Sequence, residues 1–212
     1  MKKSVLLLAL LITGSLILAQ PGAQSNNAGQ NNPEASSRRN GYIGVQFGMS
    51  FPQGDFGSEE RGYYTDRPRK NGYASVGLKW SYITASYIFL KNFGVAASWN
   101  HMFHQNAEYD NLRNWQTESI MAGPMVVIPM EKRTNLAFKL LAGQGECNLE
   151  QTDTRKSALA VNAAGELLFE ATEQWRISVG LDYYYMNPQF SNPYSDLKIT
   201  TLNLLLGFGY KF

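Results

Sequence analysis

Two histidines, His101 and His104 in the stretch "NHMFH", are the residues here best suited to hold a metal or move a proton. A metal pair on a β-strand needs i, i+2 spacing, because successive side chains point to opposite faces. Three residues apart, this pair is split between two faces if the segment is a strand, which predicts isolated histidines and no metal site. Ser98, His101, Glu118 and Ser119 supply the residue types of a nucleophile–base–acid group for acyl transfer. Asp55, Glu59, Glu60 and Asp66 supply acidic groups for a cation, but within a polar stretch that reads as solvated loop. "GQGECNLE" is glycine-rich yet precedes no helical pattern, so it does not cradle phosphate. P-loop, dinucleotide and zinc-protease motifs are absent from the sequence. Cys147 is the only cysteine, which excludes an internal disulfide and a cysteine-based zinc site. The expectation is a non-enzyme with no catalytic, cofactor-binding or metal residue.

Four charges stand out for a different reason. Lys139, Glu166, Asp182 and Lys211 each interrupt a segment of apolar/small alternation, the signature of a two-faced strand. "YIGVQFGMSF" puts Ile43, Val45, Phe47, Met49 and Phe51 on one face. "LAFKLLAG" puts Leu136, Phe138 and Leu140 opposite Ala137, Lys139 and Leu141. "ALAVNAAGELLF" separates Leu159, Val161, Ala163, Leu167 and Phe169 from Ala160, Asn162, Ala164 and Glu166. "RISVGLDYYY" separates Ile177, Val179, Leu181 and Tyr183 from Arg176, Ser178, Gly180 and Asp182. The final "TLNLLLGFGYKF" sets Leu202, Leu204, Leu206, Phe208, Tyr210 and Phe212 against Thr201, Asn203, Leu205, Gly207, Gly209 and Lys211. "YASVGLKWSYITASYIFL", "GVAASWNHMF" and "QTESIMAGPMVVI" bring the strands to eight. The first of these changes apolar parity near Tyr82 and Ile83, as a β-bulge does. Pro124 inside the last removes a ladder donor.

The front of the chain is of another kind. Lys2 and Lys3 precede an apolar run from Val5 to Leu18, with Ala19 or Ala23 at the cleavage position, so residues 1–19 read as a secretory signal peptide. Residues 20–40 are rich in Gln, Asn, Ser and Gly and read as a disordered periplasmic linker. Of 19 basic residues two fall in the signal, leaving 17 against 17 acidic ones. A near-neutral chain without a basic face excludes a nucleic-acid partner. Hydrophobic residues make up 44%, yet no apolar run after the signal is long enough for a membrane helix.

Residues 41–212 therefore form one all-β domain whose connections alternate. Those at 91–94, 130–135 and 172–174 are short; those near 52–71, 105–114, 146–156 and 187–197 are longer. An eight-stranded antiparallel up-and-down transmembrane β-barrel predicts this, with tight periplasmic turns, longer external loops and both termini periplasmic. Its apolar series faces lipid and its small, polar series faces a narrow lumen. Charged residues are only 17%, low for a solvated β-surface. Lys139, Glu166 and Asp182, on the inward series of the fifth, sixth and seventh strands, are expected to form one buried charge network. Lys211 on the eighth joins it nearer the periplasmic rim.

"YIGVQFGMSFPQGDF", "YIFLKNFGVAASW", "SIMAGPMVVIP" and the closing "LLLGFGYKF" resemble the OmpA/OmpX-like small outer-membrane β-barrels, also called porin-family or OMP β-barrel domains. The resemblance implies the cell outer membrane, outer-membrane lipids as surroundings and the barrel-assembly machinery as a partner in biogenesis. It also implies that Phe208, Tyr210 and Phe212 form the terminal signal read by that machinery. No motif for lipid A deacylation or palmitoyl transfer accompanies it. The expected role is structural, adhesive or surface-interacting, with an external protein or surface ligand at the loops. A narrow channel for small solutes is the second reading and a lipid-modifying enzyme the third.

Overall fold

The structure is a computed structural model that describes residues 40–57, 73–105, 114–131, 133–149, 155–190 and 197–212. The segments read as signal peptide and linker (up to residue 39), the acidic residues Glu59, Glu60 and Asp66, and parts of the long loops lie outside the described residues.

Eight antiparallel strands close on themselves in sequence order. They are β1 (Gly41–Pro52), β2 (Gly77–Ile88), β3 (Phe93–Gln105), β4 (Asn114–Glu131), β5 (Thr134–Leu149), β6 (Lys156–Glu170), β7 (Trp175–Met186) and β8 (Ile199–Lys211). Connections at 89–92, 132–133 and 171–174 define a turn end, which also carries Gly41 and Phe212; the longer ones define a loop end. Closure is made by β1 and β8, paired from Tyr42 with Lys211 to Pro52 with Thr201. At the end of the seam, Gly41 and Phe212 exchange two backbone hydrogen bonds of 2.9 and 3.0 Å.

The alternation sets the two faces of the wall. Phe47 is 62% exposed and Leu206 47%, while Gln46 and Leu205 beside them are 6% and 3% exposed. The apolar series faces out along the strands, the arrangement of a wall against lipid. The parity change in β2 is a bulge at Tyr82. Ser81 pairs with Asn100 and Ile83 with Trp99, which leaves Tyr82 without a partner on β3. Facing β1, Ser81 pairs with Gln46 and Thr84 with Gly44, so Val45 spans two β2 residues. The extra residue keeps Lys79 and Ser81 below the bulge and Thr84 above it on the same inner face. Pro124 stays in β4 opposite Val95. The pairing with β5 passes over it and resumes with register unchanged, Ala122 with Ala142 and Met125 with Lys139.

The interior is less uniformly polar than its composition suggests. Met102, Met121, Met125, Val127, Leu141 and Leu168 are buried among the small residues. At the loop end an aromatic cap closes the lumen. Phe56, from a short 3-10 turn (Gly54–Phe56), packs edge-on against His104 at 5.3 Å and Trp115 at 6.0 Å, and Phe190 meets Trp115 at 5.8 Å. The Phe56 carbonyl accepts hydrogen bonds from the backbone of Tyr73 and Ala74, fixing the turn over the opening.

Cys147 lies on the inner face of β5, fully buried, with Thr117 Oγ1 3.7 Å from its sulfur. A water-soluble maleimide should leave folded protein unmodified and label it fully in urea. Fast labelling of the folded barrel would place β5 in the opposite register.

Candidate functional site

Two buried ion pairs occupy the middle of the lumen. Their charged and hydrogen-bonding side chains come from β1, β2, β5, β6, β7 and β8, and the barrel's curvature carries them together. Lys139 Nζ lies 2.7 Å from Glu166 Oε1, which also accepts a 3.0 Å bond from Gln46 Nε2. Lys79 Nζ donates to both oxygens of Asp182 at 2.9 and 2.7 Å, and Asn203 Nδ2 donates to Asp182 Oδ1 at 2.6 Å. Asn203 Nδ2 also reaches Thr201 Oγ1 at 3.0 Å. All four charged residues are at most 8% exposed. Gly180, the cross-strand partner of Glu166, makes room for it: a Cβ there would lie 2.7 Å from Glu166 Cγ. A cavity of only about 10 Å³ open to the centre of a water molecule lies between the pairs, lined by Lys79, Lys139, Glu166, Asp182, Asn100 and Asn162. That is space for about one water and no larger solute. A second polar chain runs beside it, Ser81 to Asn100 at 2.6 Å and Asn100 to Ser98 at 2.9 Å.

A third group sits at the turn end. Lys211 pairs with Glu170 at 2.7 Å, Arg176 approaches the same carboxylate at 3.7 Å, and the Arg176 guanidinium lies 5.2 Å from the centre of the Tyr42 ring.

The charges named from the sequence are thus sorted differently from the single network expected. Lys139 and Glu166 are brought together. Asp182 takes Lys79 from across the lumen, and Lys211 belongs to Glu170 in a separate group. The physical reason is the barrel's curvature. Ala164 is the register partner of both Lys139 and Asp182, so these two share a row two strands apart along the wall. Lys79, on the far wall, reaches Asp182 directly through the interior. Lys79 itself went unnamed, although its signal was present: a lone cation between Leu78 and Trp80 in an alternating segment. Gln46, Asn203 and Arg176 carried no charge-pairing pattern legible in the chain.

The wall separates the nucleophile–base–acid candidates. Ser98 and Ser119 face the lumen. His101 lies on the outer face, stacked on Trp80 at 4.5 Å, and its cross-strand partner Glu118 accepts a 2.6 Å bond from Trp99 Nε1. His104 is inward, 2.9 Å from Ser50 Oγ. Among the described residues no group of three or more His, Cys, Asp or Glu is placed to hold a metal. Phe208, Tyr210 and Phe212 stand on the outer face near the turn end. Trp175 stacks on Phe208 at 4.9 Å and meets Tyr210 edge-on at 5.5 Å.

Removing one partner of a buried pair leaves an uncompensated charge. Lys139→Met should lower the stability of the folded barrel by about 3–5 kcal/mol, and Lys139→Met combined with Glu166→Leu should recover most of that loss. Urea unfolding in lipid vesicles measures both. A single variant that unfolds like the parent would show that the pair is solvated.

No protein-family model matches the chain, and no curated protein sequence matches it. Solved structures do. Neisserial surface protein A (NspA) superposes with a TM-score of 0.57 at 12% identity, over 81% of this chain and 97% of that one. Ail, the attachment invasion locus protein of Yersinia pestis, solved in complex with the heparin analogue sucrose octasulfate, is 20% identical over 82% of this chain and 99% of its own, with a TM-score of 0.47. The N-terminal β-barrel domain of Pseudomonas aeruginosa OprF is 13% identical over 82% and 98%, with a TM-score of 0.44. With its strand order, its apolar outer face and its likeness to NspA, the chain has the fold of the OmpA/OmpX-like small outer-membrane barrels.

Proposed function

We propose that this chain is an integral outer-membrane protein with a structural, adhesive or surface-interacting role, carried by its outer face and its loops and not by its lumen. The observation that carries this reading is the state of the lumen. Paired charges fill its centre, an aromatic cap covers its loop end, and the cavity between the ion pairs has room for about one water. Eight strands already enclose little more than their own side chains. The alternation of turns and loops supports an orientation with turns and both termini periplasmic and the loops external. In this reading the chain is not an enzyme, the barrel-assembly machinery receives it through the Phe208, Tyr210 and Phe212 face, and an external protein or surface ligand meets the loops.

The polar lining favours one rival, a narrow channel for small solutes. Reconstitution in planar bilayers distinguishes the two. The closed-lumen reading expects no steady conductance steps from folded protein at moderate voltage. Reproducible ion-selective steps that disappear on heat unfolding would favour the channel. Protease added to intact cells should cut first in the connections at 53–76 or 187–198. Cutting confined to 89–92 or 171–174 would invert the orientation. Crosslinking on intact cells would then identify the partner of the loops.

A further inference from the structure

The seam between β1 and β8 differs from every other strand contact. The other seven join strands adjacent in sequence, whereas this one unites the two ends of the domain and closes the longest loop in the chain. It is also rich in glycine, with Gly41, Gly44 and Gly48 on β1 and Gly207 and Gly209 on β8. Glycine weakens a strand because it brings no side chain to the pairing. Gly44 and Gly209 are direct register partners, so the seam is bare on its lumen face where they meet.

Two aromatic rings cover glycines of the seam from opposite sides. From the lumen, the ring of Tyr42 lies across both glycines. A Cβ built on Gly44 would come within 2.5 Å of Tyr42 Oη, and one on Gly209 within 2.6 Å of Tyr42 Cε2. Tyr42 is 5% exposed and is backed by the Arg176 guanidinium from β7. From the lipid side, the ring of Phe212 occupies the space that a Cβ on Gly41 would need, at the pair of backbone bonds that ends the seam. Outside β8, Trp175 braces Phe208 and Tyr210 against β7.

We propose that Tyr42 and Phe212 form an aromatic latch that holds the β1–β8 seam shut at its turn end, each ring seated on glycines whose missing Cβ makes the seat. Aromatic cover of strand glycines restores the packing that glycine lacks. The latch gives Phe212 a closing role in the folded barrel itself, independent of any machinery that reads it. Tyr42 and Phe212 are positioning residues: they act through the backbone pairing of the seam.

The test is hydrogen exchange on the mature chain, refolded from urea into phosphatidylcholine vesicles that contain no assembly protein. Tyr42→Leu and Phe212→Ala should each speed exchange at the seam amides of Ile43, Tyr210 and Phe212 by about three- to tenfold, while amides of the β4–β5 pairing keep the parent rate. Tyr42→Phe keeps the ring and should behave as the parent. Should Tyr42→Leu fail to fold, Tyr42→Met is read by the same criterion. Unchanged seam exchange in the variants, or an equal increase around the whole barrel, would overturn the latch. An effect of Phe212→Ala seen only when assembly proteins are present would assign Phe212 to recognition alone.

Discussion

A peptide group that crosses lipid finds no water to bond, and each one left unpaired costs several kcal/mol. That constraint organises the rest of the molecule. It forbids an open sheet edge, so the first and last strands must meet, and they do so from Tyr42–Lys211 to Pro52–Thr201. It also explains which irregularities are tolerated. The bulge at Tyr82 adds a residue on one strand while Ser81 and Ile83 keep their partners on either side. Pro124 removes a donor and leaves no N–H group stranded, and the β4–β5 register continues past it.

Closure at eight strands fixes the second half of the design. The interior is only wide enough for side chains to fill. Any inward charge is then buried, with a desolvation cost of several kcal/mol per ion that a single contact does not offset. At its centre the chain meets this with local neutrality and extra hydrogen bonds. Two cations face two carboxylates in the centre, Gln46 adds a donor to Glu166, and Asn203 adds one to Asp182. A lumen arranged in this way is a core turned inside the wall. Under the proposed function, the surfaces it leaves for interaction are the lipid-facing belt and the loops.

The faces of the strands were legible because the side-chain period of a strand is two and one face is strongly apolar. The order Leu202, Leu204, Leu206, Phe208 against Thr201, Asn203, Leu205, Gly207 states which side of β8 meets lipid, and the structure agrees residue by residue. The bulge was legible too, because inserting one residue reverses the parity at Tyr82 and Ile83. The partner of Asp182 was not. Sequence order places Asp182 near Lys139 and Glu166 along the wall, but contacts inside a barrel also run across it, and the shear that aligns opposite walls leaves no trace in any one strand. Lys79 and Asp182 are 103 residues apart. The aromatic cap was hidden for a related reason: Phe56 and Phe190 come from connections without periodicity, and only their return over the opening makes them core.

Each strand turns one face to lipid and the other to a closed lumen. A spin-label scan along β8, in a Cys147→Ser background reconstituted in lipid vesicles, tests this most directly. Labels at positions 202, 204, 206 and 208 should be accessible to oxygen and shielded from a water-soluble nickel reagent. Labels at 203, 205 and 207 should be shielded from both. Such an alternation with a period of two is the predicted result. Nickel access at the inward positions would show a water-filled lumen, and the absence of any alternation would contradict the barrel wall itself.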